Sequence, residues 1–315
     1  MELIRFNYPE AMGVWADLLS SERPVWIGRN GGSDTDFVEK WDCRSLDDPH
    51  ACNMRRLNGF YDLDGDIENL HAFKDMYLAS SRDMDLCTVH MSSIFGEALA
   101  GEVNSLTTLE LKYGLKSIMC WRFIENCTYF MESFQTWGAG KRILVVSPFS
   151  KSIAYQTAPD RVSKLHKSGF AFPKCSFEVV NTPITYNTDG WMCADDLGQD
   201  RNWFDTAERI FAEIAEQTFD IAWLSCGSYA MYLGPRIKRE LGKSAIYVGG
   251  MANVFFNIYN FRYSSTGHDT AVVNLDFQIE SLENSTFHTS ANTSNFPYSE
   301  GIRAYFGNKH DTPTQ

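Results

Sequence analysis

The pattern of apolar and polar positions is clearest between residues 219 and 263, FDIAWLSCGSYAMYLGPRIKRELGKSAIYVGGMANVFFNIYNFRY. A short apolar run at 221–224 enters the small-residue loop Ser225-Cys226-Gly227-Ser228. Residues 230–241 then carry Met231, Leu233, Ile237 and Leu241 at helical spacing and stop at Gly242, a residue type that ends helices by adopting the left-handed conformation. A second apolar run, 245–248, ends at Gly249-Gly250. Strand, loop, helix, glycine stop and strand, in that order, predict a right-handed βαβ unit with parallel strands. In such sheets ligands bind beyond the carboxyl ends of the strands, which makes Gly227, Ser228, Tyr229, Gly249 and Gly250 candidate binding residues.

The same reading extends to the rest of the chain. RILVV at 142–146 is a buried strand ending at Ser147-Pro148-Phe149, with Ser150 placed to cap a helix running toward Gln156. Residues 177–180 form a further strand, and 203–217 a helix with Phe204, Ala207, Phe211, Ile214 and Ala215 on one face. Near the start, 24–28 reads as a strand, followed by the loop Arg29-Asn30-Gly31-Gly32-Ser33-Asp34 and a helix opening near Thr35 or Asp36 with Asp34 as its cap. Residues 42–66 read as an irregular, turn-rich stretch containing Asn58-Gly59, and 67–134 as mostly helical. The expected architecture is α/β and Rossmann-like: one domain over 1–263, its mostly parallel sheet covered by helices on both faces, and an extension over 264–315 with a strand at 271–277.

Composition narrows the function. The chain has 315 residues, 44% of them hydrophobic, and no apolar run long enough to cross a bilayer. A net charge of −12 argues against a nucleic-acid partner, since phosphate backbones need clustered Lys and Arg. Eight cysteines without a C-x-x-C pair, behind an N-terminus lacking the features of a secretion signal, lead us to expect reduced thiols and a cytoplasmic setting.

Two groups of residues carry candidate chemistry. The loop at 28–34 follows a strand and opens a helix, so its backbone N–H groups and the helix dipole favour an anion; a tight βα turn meets the same pattern without any ligand. Its spacing is neither a Walker A loop nor G-x-G-x-x-G. Asp34 and Asp36 can together hold a hard divalent cation, Mn or Mg, or can serve as helix cap and first-turn charge. Cys226 stands at a strand end as either a nucleophile or a small core residue, with none of the 7 histidines spaced to identify a base. Tyr229 is placed to stack on a base or sugar, or to fill the core.

With these residues in view, the chain resembles the glycosyltransferases of the GT-D fold class, many of which accompany capsule, adhesin or surface-glycan clusters. The resemblance runs through Gly28-Arg29-x-Gly31-Gly32-Ser33-Asp34, Asn58-Gly59-Phe60, 140–149 with Ile153 and Gln156, Phe219-Asp220, Gly227-x-Tyr229, and 242–250 on to Phe255-Phe256 and Arg262. It implies transfer of a sugar from a nucleotide-sugar donor, expected to be a UDP-sugar, to a hydroxyl of a glycan acceptor. Some members carry an Asp-x-Glu motif that assists metal and donor binding; here Gly32 and Asp34 stand at its two acidic positions, with Asp36 as a possible substitute. The resemblance assigns catalysis and any metal contact to Asp34 and Asp36. It assigns donor binding to Arg29, Gly31, Gly32, Ser147, Pro148, Phe149, Gly227, Ser228, Tyr229, Gly249 and Gly250. Ser299-Glu300-Gly301 and Tyr305 are loosely similar to the acidic, aromatic tail of relatives. Two readings from other classes stand beside it: a nucleotide-sugar or glycan-binding protein without turnover, and a hydrolase using Cys226.

Overall fold

The computed structural model describes residues 2–4, 8–45, 48–89, 107, 109–120, 127–185, 197–259 and 272–283. Among them, eight strands form one sheet in the order β1-β4-β3-β2-β8-β7-β5-β6, with every neighbouring pair parallel. The strands are β1 (Glu2–Ile4), β2 (Trp26–Asn30), β3 (Leu86–Val89), β4 (Ser117–Cys120), β5 (Arg142–Ser147), β6 (Ser176–Asn181), β7 (Ile221–Leu224) and β8 (Ser244–Tyr247). A two-stranded parallel pair, β9 (Ile258–Tyr259) with β10 (Ile279–Glu280), lies outside it.

The expected Rossmann-like α/β arrangement is present, and the apolar runs explain it. In β5 and β7 successive side chains enter opposite cores: Ile143, Val145, Ile221 and Trp223 face one way, Leu144, Val146, Ala222 and Leu224 the other. Strands apolar on both faces need a helical layer on each. One layer is α2 (Gly32–Lys40), α3 (Pro49–Asn58), α4 (Ile67–Asp83), α7 (Trp203–Ala215) and α8 (Tyr229–Glu240). The other is α1 (Tyr8–Ser20), α5 (Cys127–Trp137), α6 (Ser150–Gln156) and α9 (Met251–Phe255). Close contact between α8 and β2 depends on Gly234, where a Cβ would stand 2.4 Å from the Trp26 ring.

Several elements differ from their sequence reading. Within the stretch read as helical, β3 and β4 are strands, because Leu-Cys-Thr-Val and Ser-Ile-Met-Cys are short and buried between neighbours that supply their ladders. Residues 49–58 form α3, with Asp48 accepting from the backbone of His50 and Ala51; Asn58-Gly59 is its C-terminal cap, not a free turn. Helix α2 starts at Gly32 with Gly31 as its cap residue, so Asp34 lies in the first turn and does not cap. Ser150 likewise begins α6 and donates to Asn181 Oδ1 instead of capping. Residues 275–277 form a single 3-10 turn rather than a strand. The segment 272–283 packs onto the domain, with Val272 and Val273 buried and β10 paired to β9, which moves this part of the expected extension into the body of the fold. Glu300 and Tyr305 lie outside the described residues.

Candidate functional site

The chain leaves adjacent strands β2 and β8 in opposite directions. After β2 it enters the layer of α2, and after β8 the layer of α9. The two carboxyl ends therefore part, and the crevice between strand ends that turn to opposite faces of the sheet is a general location of ligand sites in open parallel sheets. Arg29, Asn30 and Gly31 stand on one side of it and Tyr247, Gly249 and Gly250 on the other.

Arg29 crosses this gap. Its guanidinium lies over the Tyr247 ring, 5.6 Å from the centroid. Gly249 faces it in the left-handed conformation, φ 58°, and leaves the space that the guanidinium occupies. On the β2 side the second oxygen of Asp34 approaches Gly31, where a Cβ would be 2.7 Å from Oδ2. Gly31 has an ordinary extended backbone (φ −78°), so what it supplies is room, not conformation. Arg29, Gly31, Asp34 and Gly249 thus lie close together.

Asp34 is 6% exposed. Burial pushes its carboxyl up to about 6, against the opposing pull of Arg29, of the Asn58 amide and of its own backbone N–H. A carboxylate in that range is poised to exchange protons near neutral pH. Tyr77 of α4 is the further titratable neighbour; burial and then the Asp34 charge hold its phenol well above the ordinary value, and its hydroxyl donates to Asn30 Oδ1 at 2.7 Å. Asn58 donates to Asp34 Oδ1, and the Asn58 carbonyl oxygen of the main chain accepts from Ser228 Oγ at 2.8 Å. Asn58 entered the sequence reading as part of a turn and of the stretch carrying the resemblance, without a role of its own; the signal available was its place before a glycine that a left-handed helix end requires.

Asp34 and Asp36 do not converge. Two residues apart on a helix, they point to different sides, and Asp36 is solvent-facing, paired with Lys40 Nζ at 2.8 Å. Among the described residues no three acidic, histidine or cysteine side chains gather around a common point. The donors present therefore do not fit a divalent cation held by this acidic pair, and Asp34 is left as a single buried acid next to a guanidinium.

Other candidates lie elsewhere. Ser147, Pro148 and Phe149 are buried at the end of β5, with Phe149 packed in the core and Ser147 Oγ accepting from the Phe149 backbone at 3.2 Å. Beside them, Glu283 takes the backbone N–H of Ser152 at 2.8 Å and its hydroxyl as well, so an internal carboxylate already occupies the first turn of α6. Tyr229 is also internal: its ring lies flat on Trp203 (4.8 Å between centroids, 2° between planes) and its hydroxyl meets Thr185, so it fills the core instead of offering a face to a base. Gly227 (φ 61°) shapes the loop after β7, and Gly32 and Gly250 open α2 and α9. Cys226 is buried, and desolvation holds its thiol far above the ordinary range, the opposite of what a thiolate nucleophile needs.

Comparison with known proteins bears on the same region. Residues 200–255 match the family model of a GT-D fold-like domain, a stretch that takes in α7, β7, α8, β8 and α9. No curated protein matches the chain. A solved structure described as a new glycosyltransferase (DUF1792) from Streptococcus sanguinis is similar at 12% identity, over 79% of this chain and 81% of that one, with a TM-score of 0.43.

Proposed function

We propose that this protein is a glycosyltransferase that moves a sugar from a nucleotide-sugar donor, a UDP-sugar, to a hydroxyl of a glycan acceptor in the cytoplasm. The observation that carries the reading is the meeting of Arg29 and Asp34 at the β2–β8 crevice, beside a stretch that matches a GT-D fold-like domain. Cys43, Cys87, Cys175 and Cys226 are free thiols, in keeping with a reducing compartment.

The chemistry follows from the charges. The acceptor oxygen bonds to the anomeric carbon while the bond from that carbon to the diphosphate oxygen breaks, and the electron pair leaves with the diphosphate. Arg29 and the backbone N–H groups at the start of α2 offset that developing charge. Asp34 accepts the proton of the attacking hydroxyl. Gly249 leaves room for the Arg29 guanidinium and Gly31 for the Asp34 carboxylate.

One observation favours a second reading. Asp34 is the single acid brought to the crevice among the described residues and is almost fully buried, which also suits a protein that binds nucleotide sugars without turnover. Screening UDP-sugars by thermal shift and then assaying UDP release separates the two: stabilisation together with release supports transfer, and stabilisation without release supports binding alone.

A further inference from the structure

Asn58 ends α3, and Gly59 after it turns the chain in the left-handed conformation, φ 77°. A Cβ at 59 would stand 2.5 Å from Thr185 Oγ1, so both backbone angle and space hold this turn to glycine. The turn delivers the Asn58 carboxamide to the first turn of α2. A carboxylate can only accept, so the amide N–H faces Asp34 Oδ1, and the amide oxygen is left to accept from Ser33 Oγ at 2.7 Å. The main chain is tied as well, through Ser228 Oγ on the Asn58 carbonyl. One residue thereby joins the segments that follow β2 and β7, and Asn58 is itself buried. Of the two Asp34 oxygens, Oδ1 is bonded to Asn58 while Oδ2 stands beside Gly31.

We propose that Asn58 is a positioning residue for Asp34: it clamps Oδ1 so that Oδ2 is presented to the crevice, and Ser33 and Ser228 hold Asn58 in place. The proposal rests on the reading of Asp34 as the proton acceptor in sugar transfer. Asn58 acts through Asp34 and does not itself touch substrate. Among the described residues, the charged and titratable groups facing Asp34 are Arg29 from β2 and Tyr77 from α4, and neither is altered by a change at Asn58.

The test follows the Asp34 carboxyl by carbon-13 NMR titration of the full chain without ligand, with the signal identified by its loss in Asp34→Asn. Release of UDP from UDP-sugars is measured beside it. Asn58→Ala removes a hydrogen bond to the charged form, so the midpoint rises by about one pH unit. Ser33→Ala frees the amide oxygen while leaving the amide, moves the midpoint the same way by less, and serves alone if Asn58→Ala does not fold. In both variants kcat falls with KM little changed. A midpoint that stays put in every folded variant overturns the proposal. A raised midpoint in proteins that release no UDP, wild type included, supports the clamp and contradicts the glycosyltransferase reading instead.

Discussion

Gly249 and Arg29 meet across the crevice: a Cβ on residue 249 would stand 2.7 Å from Arg29 Nη1. The carboxyl end of β8 thus leaves room for a cation delivered from β2. Gly249→Val displaces that cation and also places a branched residue at φ 58°, a strained conformation costing about 1–3 kcal/mol. The expected outcome is a folded but less stable protein with UDP affinity reduced at least tenfold by calorimetry. Undiminished affinity in the folded variant removes Gly249 from the site.

Asp34 and His166 titrate in opposition. Between pH 3.8 and about 6 the folded chain keeps Asp34 protonated while the unfolded chain does not, so its contribution to stability falls as pH rises through that window, by about 3 kcal/mol. Burial pushes His166 from 6.5 down to about 4, so between those values the unfolded chain takes the proton and stability falls as pH drops, again by about 3 kcal/mol. The two slopes largely cancel from about pH 4 to 6. Asp34→Asn should uncover a loss of stability on acidification, and His166→Phe, which keeps the packing on Phe172, the reverse slope. Urea melts across this range check both; an Asp34→Asn profile identical to wild type shows that the carboxyl is not raised.

How far the sequence foretold this arrangement depended on whether a signal was local. The β7–α8–β8 unit was legible because its strands are apolar on both faces and Gly242, at φ 62°, ends the helix between them. A strand-to-helix turn near Gly31 was legible from its glycines, but it is shorter than the loop read from Arg29 to Asp34: β2 runs on through Asn30 and α2 opens at Gly32. What was hidden depends on tertiary partners. Strands β3 and β4 have no alternation of their own and are defined by the ladders beside them. Tyr229 is internal because Trp203, 26 positions earlier, covers its ring. Asn58 reaches Asp34 only through the fold, across 24 positions of sequence. The pairing of Asp34 with Asp36 failed on elementary helix geometry, because residues two apart do not share a face.

Cys226 tests the alternative chemistry. Its buried, protonated thiol should react with iodoacetamide at neutral pH much more slowly than free cysteine, and Cys226→Ala should keep UDP release within about threefold of wild type. Rapid alkylation that abolishes activity would instead restore Cys226 as a nucleophile.

The account turns on Asp34, and one comparison tests it most directly: UDP release from a UDP-sugar that stabilises the protein, by wild type and by Asp34→Asn. The asparagine oxygen still accepts from the Asn58 amide, while the buried charge and the proton acceptor are gone. The predicted result is a folded variant at least as stable as wild type at pH 7, since the buried charge is gone, whose turnover falls about 100-fold or more, the scale of a positioned acid or base. Near-normal turnover by the stable variant would contradict the account and reduce Asp34 to a structural acid of the first turn of α2.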